Sequence, residues 1–566
     1  MKFMLIICCS AILFFTAFTR LQHQPASFSK AAYEAALLKK ERSLINCTPD
    51  WSEYYLSKDE VRRMIPLPGM GAHTWKISTT NDSAQFYFNQ GINLYYGFHI
   101  IEAMPSFKKA QLFDSSCAIL YWAEALAYGP NINDLGYFAS PDALVAAQKA
   151  KALAAKASPK EKALIAAMQV RYSADSTQQR AGLNQQYADK MEAVFAAYPH
   201  DAEAGALFAD ALMVQHPWDL WQHNGQPQPW TPQIEKVLES VLRTAPDHPG
   251  ANHYYIHTME ASPYAYKAMA CADRLARLAP GMSHMVHMPS HIYIRTGAYE
   301  KGIAVNKAAV KAYLSYLSLY PGVADNAGLY KIHNLHMQAA CSMNTGNYDA
   351  AIKDAMDCRA GIDTSFLSIN APMGDFIQYV YMVPEICMVT FEKWSEILSQ
   401  PAIPVRFHYA AALQQFAKGM AYANANDLKN AQAALTRVTE LSGEKDMAVV
   451  FPPFNSPASA AVVMKNILAG TIAEKEQHTD AAMQYFRDAV KAEDSLVYNE
   501  PRDWLIPARH FLGDFLLHSG NYKEAKKVFR EDLSVQPKNY FAAGQLNLAL
   551  FKEKIHDRNG ALRRSH

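Results

Sequence analysis

The stretch "LGDFLLHSGNYKEAKKVFREDLSVQP", residues 512–537, decides the fold class of this chain. Small residues at Gly513 and Ala525 allow two antiparallel helices to approach closely, and Gly520 between them permits a sharp turn. Pro537 ends the second helix, because proline cannot continue the helical hydrogen bonds. The stretch therefore predicts a helical hairpin, which must bury its apolar face against neighbouring hairpins.

The spacing of these residues is similar to that of a tetratricopeptide (TPR) unit of about 34 residues. After residue 80 almost every segment has helical periodicity, and none alternates as a strand does. We therefore predict an all-α, TPR-like α-solenoid, a superhelix of antiparallel helix pairs whose concave groove is lined by the first helix of each pair. Similar units occur at 88–114, 292–306, 341–355 and 421–435.

The N-terminal residues predict export. An apolar run from Phe3 to Phe18 is short for a membrane span and typical of a signal peptide, which we place at residues 1–19. The expected location is periplasmic or secreted. An uncleaved N-terminal segment or a lipid anchor at Cys8 is the alternative, and the only contact with a membrane that we expect.

The rest of the chain divides without a sharp boundary. We predict an irregular N-terminal extension over residues 20–80, a TPR-like array over 81–350, a second array over 351–555 and a tail over 556–566. The net charge of +1 among 566 residues gives no reason to expect nucleic acid as a partner. Six cysteines beyond the signal lack CxxC spacing, which leaves disulfides and buried free thiols both open.

Histidines are concentrated on three consecutive first helices. The segments are "HPGANHYYIHTMEAS" (248–262), "GMSHMVHMPSHIYIRTGAYEKG" (281–302) and "YKIHNLHMQAACSMNTGNYDAA" (330–351). Spacings of three and four residues place side chains on one face of a helix. The candidate side chains are His253, His257, Glu260, His284, His287, His291, His333 and His336.

The turn glycines set the register of these helices. If Gly297 and Gly346 each occupy position 15 of a repeat, the histidines of the second and third segments fall at positions 2, 5 and 9. The preceding repeat begins 34 residues before Ser283, which puts His253, His257 and Glu260 at positions 5, 9 and 12. By resemblance to TPR proteins these positions face the groove. All eight side chains should point into one trough, on helices about 10 Å apart.

Clustered imidazoles favour a transition metal, because imidazole suits Zn, Cu and Fe. Two groups of three histidines would suit two copper ions, three ligands with an open position would suit zinc hydrolysis, and two histidines with one carboxylate would suit iron. Pro289 should kink the middle helix or begin it, so His253, His257 and His291 are the strongest ligand candidates, followed by His287. Glu260 is expected to be a ligand, a partner that orients an imidazole, or a general base.

The sequence leaves the function open between two classes. The first is a metal-dependent enzyme, hydrolytic or oxidative, whose substrate enters along the groove. The second is a non-enzymatic scaffold that binds a peptide or a protein there. His216 and Asp219, in "HPWDLW", are possible outer partners of the metal site, although this segment also reads as a helix stop with packed tryptophans.

The blocks "YFNQGINLYYGF", "HPGANHYYIHTMEAS" and "HMPSHIYIRTGAYEKG" resemble those of a bacterial family of exported TPR proteins, mostly of unassigned function. The resemblance covers most of residues 73–350. It implies the solenoid fold and carries no activity, so the metal role of the histidines rests on their positions alone.

Overall fold

A computed structural model describes residues 51, 56–134, 137–319, 324–450 and 453–564. Within these ranges the chain is built from α-helices and short 3₁₀ turns, and the only β-type contact is an isolated bridge between Trp221 and Pro227. The predicted all-α solenoid is confirmed. No helix of the described ranges is both long and apolar enough to cross a membrane. The predicted signal segment lies outside the described residues.

Successive helices pack as antiparallel pairs through the first half of the chain. They are α1 (Lys58–Arg63), α2 (Asp82–Tyr96), α3 (Ile100–Phe113), α4 (Ala118–Ala127), α5 (Pro141–Leu153), α6 (Pro159–Met168), α7 (Arg180–Ala197), α8 (Ala202–Met213), α9 (Thr231–Thr244), α10 (Pro249–Met259), α11 (Met269–Leu278), α12 (Ser283–His287), α13 (Pro289–Thr296) and α14 (Tyr299–Leu319).

The second half continues the same pattern. Its helices are α15 (Ala324–Met343), α16 (Tyr348–Ala360), α17 (Met373–Tyr381), α18 (Val383–Thr390), α19 (Trp394–Ser399), α20 (His408–Asn424), α21 (Leu428–Leu441), α22 (Pro457–Lys475), α23 (Thr479–Asp494), α24 (Ala508–His518), α25 (Tyr522–Val535) and α26 (Tyr540–Arg564). The last helix continues through 556–564, where we predicted a tail.

The glycines act as the sequence predicted. A Cβ atom at Gly513 would lie 2.4 Å from the ring of Phe529, so the α24–α25 pair depends on a residue without a side chain at this crossing. Gly297 ends α13 in the left-handed conformation, with φ of +70°. The turn glycines that fixed the register are therefore turn residues in the structure.

The histidine-bearing middle helix is broken at Pro289. Residues Ser283–His287 form the short helix α12, and α13 begins at Pro289, where the missing N–H of proline costs nothing. Of the two outcomes expected for Pro289, a new helix start is the one observed. His284 and His287 thus lie on one short helix and His291 on the next.

The C-terminal hairpins contact the middle of the array. The Nδ2 of Asn539 donates to Asn344 Oδ1 at 2.7 Å, and the carbonyl oxygen of Pro537 would lie 2.2 Å from a Cβ atom at Gly297. The array therefore curves back on itself, and residues near 500 approach α13. The five described cysteines are buried free thiols.

Candidate metal centre

Six of the eight predicted side chains form two compact groups. We call His253, His257 and His284 group A, and we call His287, His291 and His333 group B. Within each group one ring nitrogen from every residue lies within 4.8 Å of the others. Group A is fully buried, as are His287 and His291, whereas His333 is partly exposed.

Group A is held from behind by hydrogen bonds at Nδ1. The Nδ1 of His253 lies 2.7 Å from the backbone carbonyl oxygen of Tyr96, which can only accept, so His253 donates its proton there. The Nδ1 of His257 lies 2.9 Å from Glu260 Oε1. The Nε2 atoms of His253 and His284 are 3.1 Å apart, and the buried Nε2 of His257 has no hydrogen-bond partner.

Group B repeats this arrangement. The Nδ1 of His287 lies 2.6 Å from Asn306 Oδ1, and Asn306 Nδ2 donates to the carbonyl of Gly302 at 2.9 Å, which fixes the orientation of the amide. The Nδ1 of His291 lies 2.9 Å from Glu260 Oε2 and also contacts Glu500. The Nε2 atoms of His287 and His291 are only 2.6 Å apart, and the His333 ring is centred 4.6 Å from that of His287.

The two groups adjoin each other. The rings of His284 and His287 are centred 6.4 Å apart, and the two carboxylate oxygens of Glu260 contact one histidine of each group. Phe98 lies against group A, with its ring centred 4.4 Å from that of His253. Six imidazoles thus share one buried space, with a single carboxylate linking the two halves.

The charge states follow from this burial. Burial lowers the pKa of His253 to about 3, and it lowers the pKa of His257, His287 and His333 well below the usual value, so these rings are neutral at pH 7. Burial would also lower the pKa of His291, but the carboxylates of Glu500 and Glu260 raise it to about 10.

The short contact in group B therefore requires a proton or a metal ion between the two rings. A neutral imidazole that donates from Nδ1 has a bare lone pair on Nε2. His287 donates from Nδ1 to Asn306, so its Nε2 is bare and faces His291 Nε2 at 2.6 Å. Two bare nitrogens at that distance repel each other. A proton on His291 or a metal ion must lie between them.

Besides Glu260, three predicted side chains are not part of either group. His336 is buried against Tyr379, with ring centres 5.6 Å apart, and neither of its ring nitrogens has a hydrogen-bond partner. His216 stacks on Trp230, with ring centres 3.6 Å apart, and Asp219 accepts from Gln228 at 2.6 Å. The expectation that His216 and Asp219 support the histidine groups is not met, because the tight turn after α8 directs both towards the 222–230 loop.

Glu260 has a position that favours one of its three expected roles. Both of its oxygens face Nδ1 atoms, behind the rings, whereas the bare Nε2 atoms point the other way. This geometry suits a partner that orients imidazoles better than a ligand or a base for a bound water.

Sequence reasoning missed the partners that come from elsewhere in the chain. Glu500 lies in a loop between α23 and α24, and the carbonyl of Tyr96 comes from the end of α2. Asn306 lies on the second helix of its repeat, behind the groove. The ring of Trp218, from the "HPWDLW" segment, is centred 5.9 Å from that of His257. The sequence does point to the "HPWDLW" segment, but to His216 and Asp219 as the outer partners and not to Trp218.

A third set of possible ligands has a structural explanation. His73, Glu203 and His248 lie together, but His248 Nδ1 accepts from the N–H of Ala251 at 3.0 Å, so its proton is on Nε2 and points at Glu203, 3.4 Å away. His73 also contacts Glu203. This network ties the N-terminal extension to α8 and α10.

Comparison with known proteins agrees with the fold. The family described as "Tetratricopeptide repeat" matches residues 415–445 and 506–539, the second of which includes the stretch that predicted the fold. The chain thus contains TPR repeats. No curated protein sequence matches it significantly. The kinship with a bacterial exported family remains a prediction.

Among solved structures, human IFIT1 dimer with m7Gppp-AAAA is 13% identical, with a TM-score of 0.31, over 90% of this chain and 97% of that one. Yeast Tom70 is 12% identical, with a TM-score of 0.27, over 85% and 90% of the two chains. The P58(IPK) TPR domain is 12% identical, with a TM-score of 0.21, over 84% and 99%.

Proposed function

We propose that this TPR solenoid binds two copper ions, one in each group of three histidines, and that the resulting centre catalyses an O₂-dependent oxidation of an organic substrate. The observation that carries the proposal is the convergence of Nε2 atoms on rings whose Nδ1 sides face acceptors: the Tyr96 carbonyl behind His253, Glu260 behind His257 and Asn306 behind His287. That is the arrangement of metal-ligating histidines, in which a second hydrogen bond fixes the tautomer and aims the lone pair.

The distances support an ion in each group. A tetrahedral ion about 2.0–2.1 Å from each nitrogen separates two nitrogens by about 3.3 Å. The Nε2 atoms of His253 and His284 are already 3.1 Å apart, and those of His287 and His291 would need to open from 2.6 Å. In group B the ion would take the place of the proton that His291 otherwise shares with His287.

The ligand set favours copper over the other metals. Group A offers three imidazoles that are neutral at pH 7, whereas in group B an ion would have to displace the proton that the raised pKa of His291 keeps on its ring. Cu(II) binds nitrogen ligands more tightly than Zn(II) or Fe(II) does. Hydrolytic two-metal sites clamp both oxygens of a displacement between their ions. Here the nearby carboxylates, Glu260 and Glu500, are engaged at the Nδ1 side of the rings. An oxidative centre is therefore favoured over zinc hydrolysis.

The protein residues around the ions would have two tasks. Asn306, Glu260 and the Tyr96 carbonyl hold the imidazoles, and burial excludes bulk water from the centre. His333 is the one grouped histidine that is partly exposed. We also propose that the protein is exported, as the apolar run at residues 3–18 predicts. Cell fractionation with an antibody tests this, and recovery in the cytoplasm would contradict export.

Metal analysis tests the proposal directly. Protein made without a histidine tag is incubated with Cu, Zn or Fe(II), desalted and analysed for metal content, and O₂ consumption is then measured with phenolic and amine substrates. We expect about two equivalents of copper, in line with three ligands per ion. Less than about 0.3 equivalents of any transition metal would contradict the proposal and leave the scaffold class of function.

Two single variants assign the ions. His257→Ala should remove the group A ion and His287→Ala the group B ion, each leaving about one equivalent, because two imidazoles hold copper poorly against a chelator. His336→Ala is the matched control, since this buried histidine belongs to neither group, and it should keep both ions. Unchanged metal content in both group variants would exclude the assigned ligands.

A further inference from the structure

A cavity of about 710 Å³ lies next to residues that contact the histidine groups, although none of the six grouped histidines lines it. Its size is within the usual range for pockets that enclose small organic ligands. Trp218, which lines the cavity, also lies against His257, and Tyr498, which lines it too, donates to Glu500. The cavity is therefore connected to group A through Trp218 and to group B through the Glu500 contact with His291.

Aromatic side chains form much of the cavity wall. Trp218, Trp221, Phe454, Tyr498 and Trp504 all line it. Such rings bind a flat apolar group by stacking or edge contacts. The aromatic wall therefore suits an aromatic ring of a ligand. The charged residues that line the cavity determine which substituent on that ring would bind.

Arg295 is the cavity arginine that makes no direct ion pair, although the charge of Glu500 acts on it from farther away. Its Nη2 donates to the carbonyl of Ser262 at 3.1 Å, its Nε is buried without a hydrogen-bond partner, and no carboxylate of the described residues lies within ion-pair distance. The two other cavity arginines are paired: Arg509 makes two bonds to Asp494, and Arg502 lies 3.3 Å from Glu493.

Arg295 lies on the same helix as His291 of group B. It follows His291 by one helical turn on α13, about 6 Å along the helix axis. Its guanidinium lies 5.7 Å from the ring of Tyr498. A planar anion paired with this guanidinium would extend an attached ring along the aromatic wall, beside the two histidine groups.

We propose that the cavity is a chamber that binds small aryl carboxylates, with Arg295 pairing the carboxylate and the tryptophans enclosing the ring. Trp218 and Glu500 separate this chamber from the histidine groups, so the inference stands independently of the proposed metal centre. A bidentate pair with a guanidinium is the strongest recognition that a protein offers to a carboxylate.

Binding to metal-free protein tests the chamber separately from the metal centre. The full chain is stripped of metal with a chelator and titrated calorimetrically with 3-phenylpropanoate and with its neutral amide, 3-phenylpropanamide. We expect the carboxylate to bind at least tenfold more tightly than the amide. Equal affinities, or no binding of either probe, would overturn the proposal without bearing on metal content.

Variants locate the contact. Arg295→Gln should weaken 3-phenylpropanoate at least tenfold and leave the amide unchanged, whereas Arg509→Gln, whose parent side chain already has a carboxylate partner, should change neither. Undiminished carboxylate affinity in Arg295→Gln would overturn the assignment. If Arg295→Gln does not fold, the comparison of carboxylate and amide on the unaltered protein still decides. A peptide with a C-terminal Phe is a third probe, and binding of that peptide alone would assign the chamber to peptides and overturn the small-ligand proposal.

Discussion

Replacing Asn306 with leucine should remove one of the two metal ions without touching a ligand. Asn306 is fully buried, and its Oδ1 accepts the Nδ1 proton of His287 at 2.6 Å. The only other polar group near this nitrogen is the hydroxyl of Ser290, 3.4 Å away. Without the amide oxygen, His287 loses the contact that keeps the proton on Nδ1 and directs Nε2 into group B.

The size of the effect follows from the role of such partners. Loss of a hydrogen-bonded partner behind a ligating histidine lowers metal affinity about 10–100-fold, which is about 1.4–2.7 kcal/mol. Only the group B ion should be affected, because the histidines of group A are held by Tyr96 and Glu260. Asn334→Leu is the matched control. Asn334 is equally buried on the neighbouring helix α15, and its hydrogen bond goes to the hydroxyl of Ser283 and not to a ring nitrogen.

The assay is metal content after equilibration with a chelator of graded strength. At a chelator strength where the unaltered protein keeps about two equivalents, Asn306→Leu should keep about one and Asn334→Leu about two. Both variants should lose similar thermal stability without metal, since each replaces one buried amide. Equal losses of metal in the two variants would mean that packing, and not the His287 contact, controls binding. Undiminished affinity in Asn306→Leu would refute the proposed tautomer of His287.

Three further predictions concern stability. Burial and the neighbouring Asp446 raise the pKa of Asp375 to about 7, so the native state carries a buried charge at pH 8 but not at pH 4. The variant Asp375→Asn should therefore raise the free energy of unfolding on the order of 2 kcal/mol at pH 8, with little change at pH 4. Urea denaturation at the two pH values measures the difference. Burial lowers the pKa of His336 to about 3, so the unfolded state binds more protons than the native state below pH 6.5, and the free energy of unfolding falls there. Between pH 7 and pH 5, the free energy of unfolding of His336→Leu should fall by about 2 kcal/mol less than that of the parent in the same assay. Gly297→Ala should lower the melting temperature more than Gly520→Ala does. Both residues have positive φ, where a side chain costs about 1–2 kcal/mol. Of the two, only Gly297 would place its new Cβ against a backbone oxygen, that of Pro537 at 2.2 Å. Equal effects of the two glycine variants would contradict the packing of the C-terminal hairpin on α13.

The fold and the placement of the histidines could be predicted because both depend on short-range periodicity. A turn glycine fixes the register of a hairpin, and the register fixes which side chains face the groove. The break at Pro289 did not spoil this, because α12 and α13 each keep their own face towards the neighbouring helices. His253, His257 and His291 therefore lie where the sequence places them.

The residues behind the histidines could not be predicted in this way. Glu500 reaches His291 only because the array curves back on itself, and that curvature accumulates from small rotations between successive repeats that no single repeat encodes. The carbonyl of Tyr96 is a backbone atom without a residue signature. His336 shows the opposite failure: it has the same register as His287, yet the superhelix directs it towards Tyr379 instead of a shared centre.

Burial is the observation that leads us to favour the proposed metal centre over a scaffold. A scaffold that reads a peptide in its groove needs polar side chains that the peptide can contact, but five of the six grouped histidines are buried. Burying imidazoles also costs stability unless their nitrogens have partners. In group B the contact between His287 and His291 needs a proton or a metal ion between the two Nε2 atoms, and we propose that a metal ion fills this position. The proposed two-ion centre thus offers a reason for burying these rings that a peptide-binding groove does not.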